Sequence, residues 1–379
     1  MKKHPILFLL IILQFSFIRS QNIDLPISAR VDTTNVAHKK IYHLYKNYLN
    51  AKKDNLNESP FWTQQDVEKS LEFKKEHINN ADEMMFSGYS PKDYLEYYNP
   101  IILQIDQINE DRYQIKTLFS KNCVVIGKEK YNPDSITKLY AVKDKNGDFK
   151  LENTRIYDTI NWKKYDYKFI KYIVHPSVDF NKQEAKKAVK FCKNLITEFG
   201  LSEIPFTYYL TSNSDDMLRL FNFEYILSYS TGRTYIAEKE IYTSHSNENY
   251  PHEFVHLLFP KTKYSRPMII NEGLATWLGG PSFNESFEDG LLKFSLEIKN
   301  KSVTLEDIIE NKYRNPFDNN PIYLSGGVIC KLIYEKHGVA GIWEIYNADT
   351  NNYKQVLEKL FGVSYSEIDK LIINYIKNL

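Results

Sequence analysis

One string, Pro251-His252-Glu253-Phe254-Val255-His256-Leu257-Leu258-Phe259-Pro260, constrains this chain more than any other. Pro251 suits the first turn of a helix, where its missing N–H has no partner to lose, and Pro260 closes the segment. His252 and His256 are four apart, so on a helix both imidazoles project from one face about one turn apart. That separation lets both bind a single tetrahedral zinc ion. Glu253 sits beside the first of them, near enough to take a proton from metal-activated water without entering the coordination shell. Phe254, Val255 and Leu258 lie on the other sides and predict a buried helix.

Paired histidines of this kind also occur on ordinary helices, so a third ligand has to decide. One metal-binding protease pattern continues with Gly three residues and His six residues beyond the second His. Here those places hold Phe259 and Thr262, so that scheme fails. Instead Asn271-Glu272-Gly273-Leu274-Ala275-Thr276-Trp277 follows, a helical stretch ended by Gly279-Gly280. Fifteen residues separate His256 from Glu272. That leaves room for a turn at 261–266 and an antiparallel return that faces Glu272 towards the histidine pair. Two imidazoles, one carboxylate and an open water position make a catalytic zinc site, whereas structural sites are closed and more often thiolate-rich. Thr276, one turn beyond Glu272, is spaced to hydrogen-bond a ligand from behind, but a plain helix-face threonine is the favoured reading.

Together, His-Glu-Phe-Val-His and Asn-Glu-Gly-Leu-Ala resemble the gluzincin metallopeptidases, the clan of thermolysin and the M1-type aminopeptidases. The resemblance covers roughly 167–379. It implies a zincin-like domain with one small sheet and a mostly helical carboxy-terminal half, one catalytic zinc ion held by His252, His256 and Glu272, Glu253 as general base, and a peptide or protein substrate. The spacer before Glu272 is shorter than the aminopeptidases use. The Gly-x-Met-Glu-Asn element that anchors a substrate amino terminus there is absent, since Gly232 to Glu240 reads differently. Tyr323, in the context Tyr-Leu-Ser-Gly, is similar to a tyrosine that in aminopeptidase-like members donates a hydrogen bond to the oxyanion; most of the 29 tyrosines must simply pack. The family also places an edge strand just before the metal helix, against which a substrate peptide lies; the extended run 234–243 reads either as that strand or as an ordinary core strand. A non-catalytic exported binding protein that keeps a peptidase shell is the alternative reading, and the retained Glu253 argues against it.

The rest of the chain supplies the setting. Lys2 and Lys3 precede an apolar run, 6–18, and Ile18-Arg19-Ser20 before Gln21 reads as a cleavage site, so residues 1–20 are expected to be a signal peptide and the protein to be exported. The run is shorter than a spanning helix needs. Lys and Arg number 49 against 48 Asp and Glu, which offers no electrostatic reason to expect nucleic acid or an anionic membrane as partner. Cys123, Cys192 and Cys330 allow at most one disulfide and read as buried small hydrophobes.

The fold class is α+β. Helices are expected at 36–50, 67–78 and 91–98, then short strands at 101–108, 113–119, 124–126, 138–143 and 149–153, with an Asn146-Gly147 hairpin signal. This first domain, 21–165, resembles in element order the cone-shaped folds of the nuclear-transport-factor-like (NTF2-like) group. The pattern restarts in a second domain, 166–379, with a strand at 169–174, a helix at 182–199 stopped by Gly200, a strand at 205–210, and helices from 250 onwards. One of those helices is expected to open near Tyr323 and stop at Gly338.

Overall fold

The computed structural model describes residues 25–51, 60–68, 95, 97–125, 128–227, 231–235, 239–260, 266–310, 312–313 and 321–379. The segment 1–20, expected to direct export, therefore lies outside the described residues, as does most of the helix expected at 67–78, of which 67–68 are described and helical. Of the stretch 91–98, residues 91–94 and 96 lie outside them too; Leu95 and Tyr97 are in turns, not a helix, and Tyr98 opens a strand. The chain is a mixed α+β protein with two compact units, Met1–Asn153 plus Asn222–Ile226, and Thr154–Phe221 plus Leu227–Leu379. No helix among the described residues is long and apolar enough to cross a membrane.

In the first unit, helix α1 (Val36–Leu49) starts where the Asn35 side chain accepts from the backbone N–H groups of Ala37 and His38. It buries Ile41, Tyr45, Tyr48 and Leu49 in one core with Ile105, Ile115, Phe119 and Leu139 of an antiparallel sheet. That sheet runs β1 (Tyr98–Gln107), β2 (Arg112–Val125), β3 (Lys128–Lys143) and β4 (Phe149–Glu152) in order. The separate strands expected at 113–119 and 124–126 are one strand, β2. The polar run Ser120-Lys121-Asn122, which reads as an interruption, stays in the ladder opposite Pro133, Asn132 and Tyr131, and a register shift between Phe119 and Ser120 absorbs the irregularity.

The second unit opens with helix α2 (Thr154–Asp158) and strand β5 (Lys163–Tyr167), which pairs antiparallel with β6 (Ile170–Val174). The crossover helix α3 (Lys182–Phe199) then returns the chain to β7 (Phe206–Leu210), parallel to β6. Its ends are the ones its sequence announces: Asn181 caps the start through its side chain, and Gly200, left-handed at φ 65°, ends it. The short helix α4 (Ser214–Arg219) follows, and strand β8 (Phe223–Ile226) then joins the first unit's sheet beside β3. Strands β9 (Gly232–Tyr235) and β10 (Glu240–Thr243) complete the second sheet, ordered β5-β6-β7-β10-β9. The extended run expected at 234–243 is thus two antiparallel strands, with Lys239 at φ 51° leading into β10 and β9 at the sheet edge.

From Pro251 the chain is helical: α5 (Pro251–Leu258), α6 (Met268–Gly279), α7 (Phe287–Ile298), α8 (Leu305–Ile309), α9 (Pro321–Tyr346), α10 (Tyr353–Phe361) and α11 (Tyr365–Lys377). Gly338, at φ 61° and ψ −152°, breaks α9 as expected, but helix resumes beyond it to Tyr346, and Trp343 ties that second segment to α3 by donating to the Phe199 carbonyl at 3.2 Å. Helix α5 sits in the middle of the core. Phe254 is fully buried against Phe206 and Tyr208 of β7 and its neighbourhood, with ring centroids 5.9 and 5.8 Å away. Cys192 and Cys330 are free and buried, and burial pushes the Cys330 thiol up to about 12, so it is a packing group without thiolate character. The side chain of Cys123 lies outside the described residues.

Candidate metal centre

A helix of eight residues with both prolines outside its interior places His252 and His256 on one face, and α6 returns along that face to bring up Glu272. The three meet. His252 Nε2 and His256 Nε2 are 3.2 Å apart, and Glu272 Oε2 lies 3.3 Å from the first and 3.2 Å from the second. Among the described residues this is the one group of three or more His, Cys, Asp or Glu side chains whose ligand atoms converge in this way.

Hydrogen bonds fix which atoms face inward. His252 Nδ1 lies 2.8 Å from the Gly280 carbonyl oxygen, which can only accept, so Nδ1 carries the proton and Nε2 presents a lone pair to the centre. Two imidazole nitrogens and a carboxylate oxygen this close together need positive charge among them, supplied by a shared proton or by a cation. Burial raises the Glu272 pKa, but hydrogen bonds from His252 and His256 and their charge outweigh it and hold the carboxyl well below its usual range. Burial lowers His256, and Glu272 outweighs that to raise it. The residues fit a cation.

Glu253 lies on the same helix but outside this triangle. Thr234 on the edge strand β9 donates its hydroxyl to Glu253 Oε2 at 2.5 Å, which holds the carboxylate in one orientation. Tyr323, in the first turn of α9, stacks its ring on that of His252, with centroids 5.7 Å apart and planes 12° from parallel. Burial first, then the charge of Glu272, push its phenol well above the ordinary value, so it is a neutral O–H donor. All five residues singled out in the sequence are thus in one neighbourhood on α5, α6 and α9.

Other candidates fall elsewhere. The hydroxyl of Thr276 is buried and makes no hydrogen bond, so it does not support a ligand from behind. His175 is occupied with Ser177 at 2.7 Å, and His245 stacks on Phe283 with centroids 4.3 Å apart. Trp277 and Trp343 pack against the core, and Lys163, Lys164, Lys186 and Lys187 are exposed.

Four further residues contribute, three of them inside the quoted motifs but with no role assigned there. Thr234 is the one outside them. Asn271 donates to Glu272 Oε1, the carboxylate oxygen turned away from the two imidazoles, at 3.1 Å. Gly273 of α6 and Gly326 of α9 let those helices touch backbone to backbone: a Cβ on Gly273 would stand 2.3 Å from the Gly326 carbonyl carbon, and one on Gly326 would stand 1.9 Å from the Ile269 oxygen. This crossing sets the distance between Glu272 and Tyr323. Gly273 and Gly326 follow Glu272 and Tyr323 by one and three residues, and a Gly at such a place signals close backbone approach once both helices are known. No known protein family matches the sequence, and no curated protein matches it either.

Proposed function

We propose that the protein is an exported zinc-dependent peptidase, with His252, His256 and Glu272 as metal ligands, Glu253 as general base and Tyr323 as oxyanion donor. The observation that carries this reading is the near-equilateral triangle of donor atoms, 3.2, 3.2 and 3.3 Å on its sides. Tetrahedral zinc with bonds of about 2.0–2.1 Å requires donor separations of about 3.3–3.4 Å. Three protein ligands with neutral imidazoles and one carboxylate leave a fourth direction open, as catalytic zinc sites do. A zincin-like second domain and an NTF2-like first domain are part of the same proposal. The small sheet with its mostly helical sequel supports the one, and a helix lying on an antiparallel sheet supports the other.

Bound zinc supplies Lewis acidity, bringing the pKa of water towards neutrality and polarising a carbonyl. The chain's own residues do the rest. Glu253 takes the proton from the attacking water and returns it to the leaving amine. The Tyr323 phenol donates to the oxygen on which negative charge develops, and one such donor is typically worth about 3 kcal/mol. Thr234 holds Glu253 by one oxygen and leaves the other for the proton.

The test is cleavage of a mixed peptide library by the purified chain, its loss with a chelator and its return with zinc. Zinc binding without cleavage under any condition favours the non-catalytic binder instead. Glu272→Ala is expected to weaken zinc binding by more than the roughly 10–100-fold that loss of an outer partner costs, since it removes a ligand and the site's only anionic one; calorimetric zinc titration reads this. Thr234→Val is expected to lower kcat about tenfold with KM and zinc affinity unchanged, the signature of a misoriented base. A fall in zinc affinity of the same size would show that Thr234 supports the fold of the site and not the base.

A further inference from the structure

Arg266 stands at the foot of α6 and spans three segments. Its NH1 group donates to Asn271 Oδ1 at 2.6 Å, its Nε to the Tyr346 carbonyl oxygen at 3.0 Å, and its NH2 group to the Pro260 carbonyl oxygen at 3.4 Å. The guanidinium lies 3.4 Å over the Tyr346 ring, and that ring packs in turn against Phe259 and Trp343 with centroids 5.1 and 5.6 Å away. The Tyr346 hydroxyl donates to the same Pro260 oxygen at 3.1 Å. A cation seated face-on upon a packed aromatic, with its fork committed in three directions, has little freedom left.

What this rigidity controls is the Asn271 amide. An amide has a donor end and an acceptor end of nearly equal shape, so the partners at its two ends fix its orientation. Here a charged donor claims Oδ1, so Nδ2 must face Glu272, where it donates to Oε1 at 3.1 Å. One carboxylate oxygen is thereby occupied, and only Oε2 is left to face the two imidazoles, at 3.2 and 3.3 Å. We infer that Arg266 is a positioning residue for the metal centre: acting through Asn271, it makes Glu272 a one-oxygen ligand and so keeps a coordination position free for water. Without the guanidinium the Asn271 amide loses its anchor on Oδ1, and its Nδ2 is free to move off Oε1. Glu272 would then swing to release Oε1, and a two-oxygen grip would take the place that the reaction needs.

The inference rests on the metal reading above, and its test separates the two. Zinc affinity of the purified full chain is measured by competition with a chelating dye, and the cobalt-substituted protein is examined by visible absorption, because four-coordinate cobalt absorbs much more strongly than five- or six-coordinate cobalt. Arg266→Gln and Asn271→Ala are each expected to weaken zinc about 10–100-fold and to dim the cobalt bands. The double variant is expected to be no weaker than the worse single one, since both changes cut one chain of contacts. A purely structural Arg266 would lower the denaturation midpoint and leave the folded protein's zinc affinity and cobalt spectrum at parental values, and that outcome overturns the inference. Additive losses in the double variant overturn it as well. If Arg266→Gln does not fold, Arg266→Lys keeps the charge on the Tyr346 platform without the fork, and parental behaviour in it or in Asn271→Ala is equally fatal. A parent chain that binds no zinc removes the metal reading itself, and this inference with it.

Discussion

Glu253→Gln is expected to reduce peptide hydrolysis by about 10²–10⁴-fold while zinc stays bound at parental affinity. That range corresponds to about 3–5 kcal/mol of barrier. The substitution is close to isosteric, and the amide oxygen can still accept from the Thr234 hydroxyl, which lies 2.5 Å from the carboxylate oxygen in the parent. What is lost is basicity alone. Because Glu253 lies outside the triangle of His252, His256 and Glu272, its charge is not needed to hold the metal. Zinc content and initial rates on a peptide library, measured on the same preparation, decide the matter. A variant that cleaves as fast as its parent would falsify the assignment of the base. One that loses zinc in proportion to activity would place Glu253 among the metal-supporting groups.

The separation of roles rests on how differently the parts of this chain can be read from sequence. His252 and His256 were readable because their relation is local: four residues on a helix give one face whatever the rest of the fold does. Helix α3 was readable to the residue for the same reason, since Asn181 and Gly200 announce its ends and its apolar stripe lies between them. Glu272 needed one more step, an antiparallel return, and a spacer of fifteen residues permits it. The strands were harder. Residues 120–122 are polar and read as a gap, yet β2 passes through them because backbone pairing with β3 continues whatever the side chains are. Over 234–243 the composition reads as one β-prone run, yet its described residues belong to two antiparallel strands, β9 and β10.

The parts of the site that sequence did not reveal are those made by contact between distant segments. Arg266 and Tyr346 are 80 apart, and no periodicity links them. Thr234 sits in an ordinary β-prone run, and only the packing of β9 beside α5 gives its hydroxyl a carboxylate to hold. Thr276 shows the converse. Its spacing from Glu272 suits a supporting role, but its hydroxyl is buried without a hydrogen-bond partner. Spacing along a helix says which residues share a face. It does not say what that face meets.

The crossing of α6 and α9 gives the sharpest test of that distinction, because two adjacent residues are expected to respond in opposite directions. Gly326→Ala puts a methyl group 1.9 Å from the Ile269 carbonyl oxygen, inside the van der Waals radius of a backbone atom that cannot rotate away. One helix must shift, and the expected loss is about 3 kcal/mol or more, at or beyond the upper end of ordinary overpacking. The neighbouring Ser325 is fully buried, and its hydroxyl has no hydrogen-bond partner. Ser325→Ala removes a desolvated polar group at no steric cost and is expected to leave stability unchanged or raise it by up to about 1 kcal/mol. Urea denaturation of the two variants measures the difference, and zinc titration of the folded fraction shows whether the shift reaches the site. Since the same crossing sets Glu272 against Tyr323, a Gly326→Ala protein that folds should bind zinc less tightly than the parent, whereas Ser325→Ala should match it. Equal stability in the two variants would mean that α6 and α9 do not meet backbone to backbone, and the placing of Tyr323 beside the metal ligands would go with it.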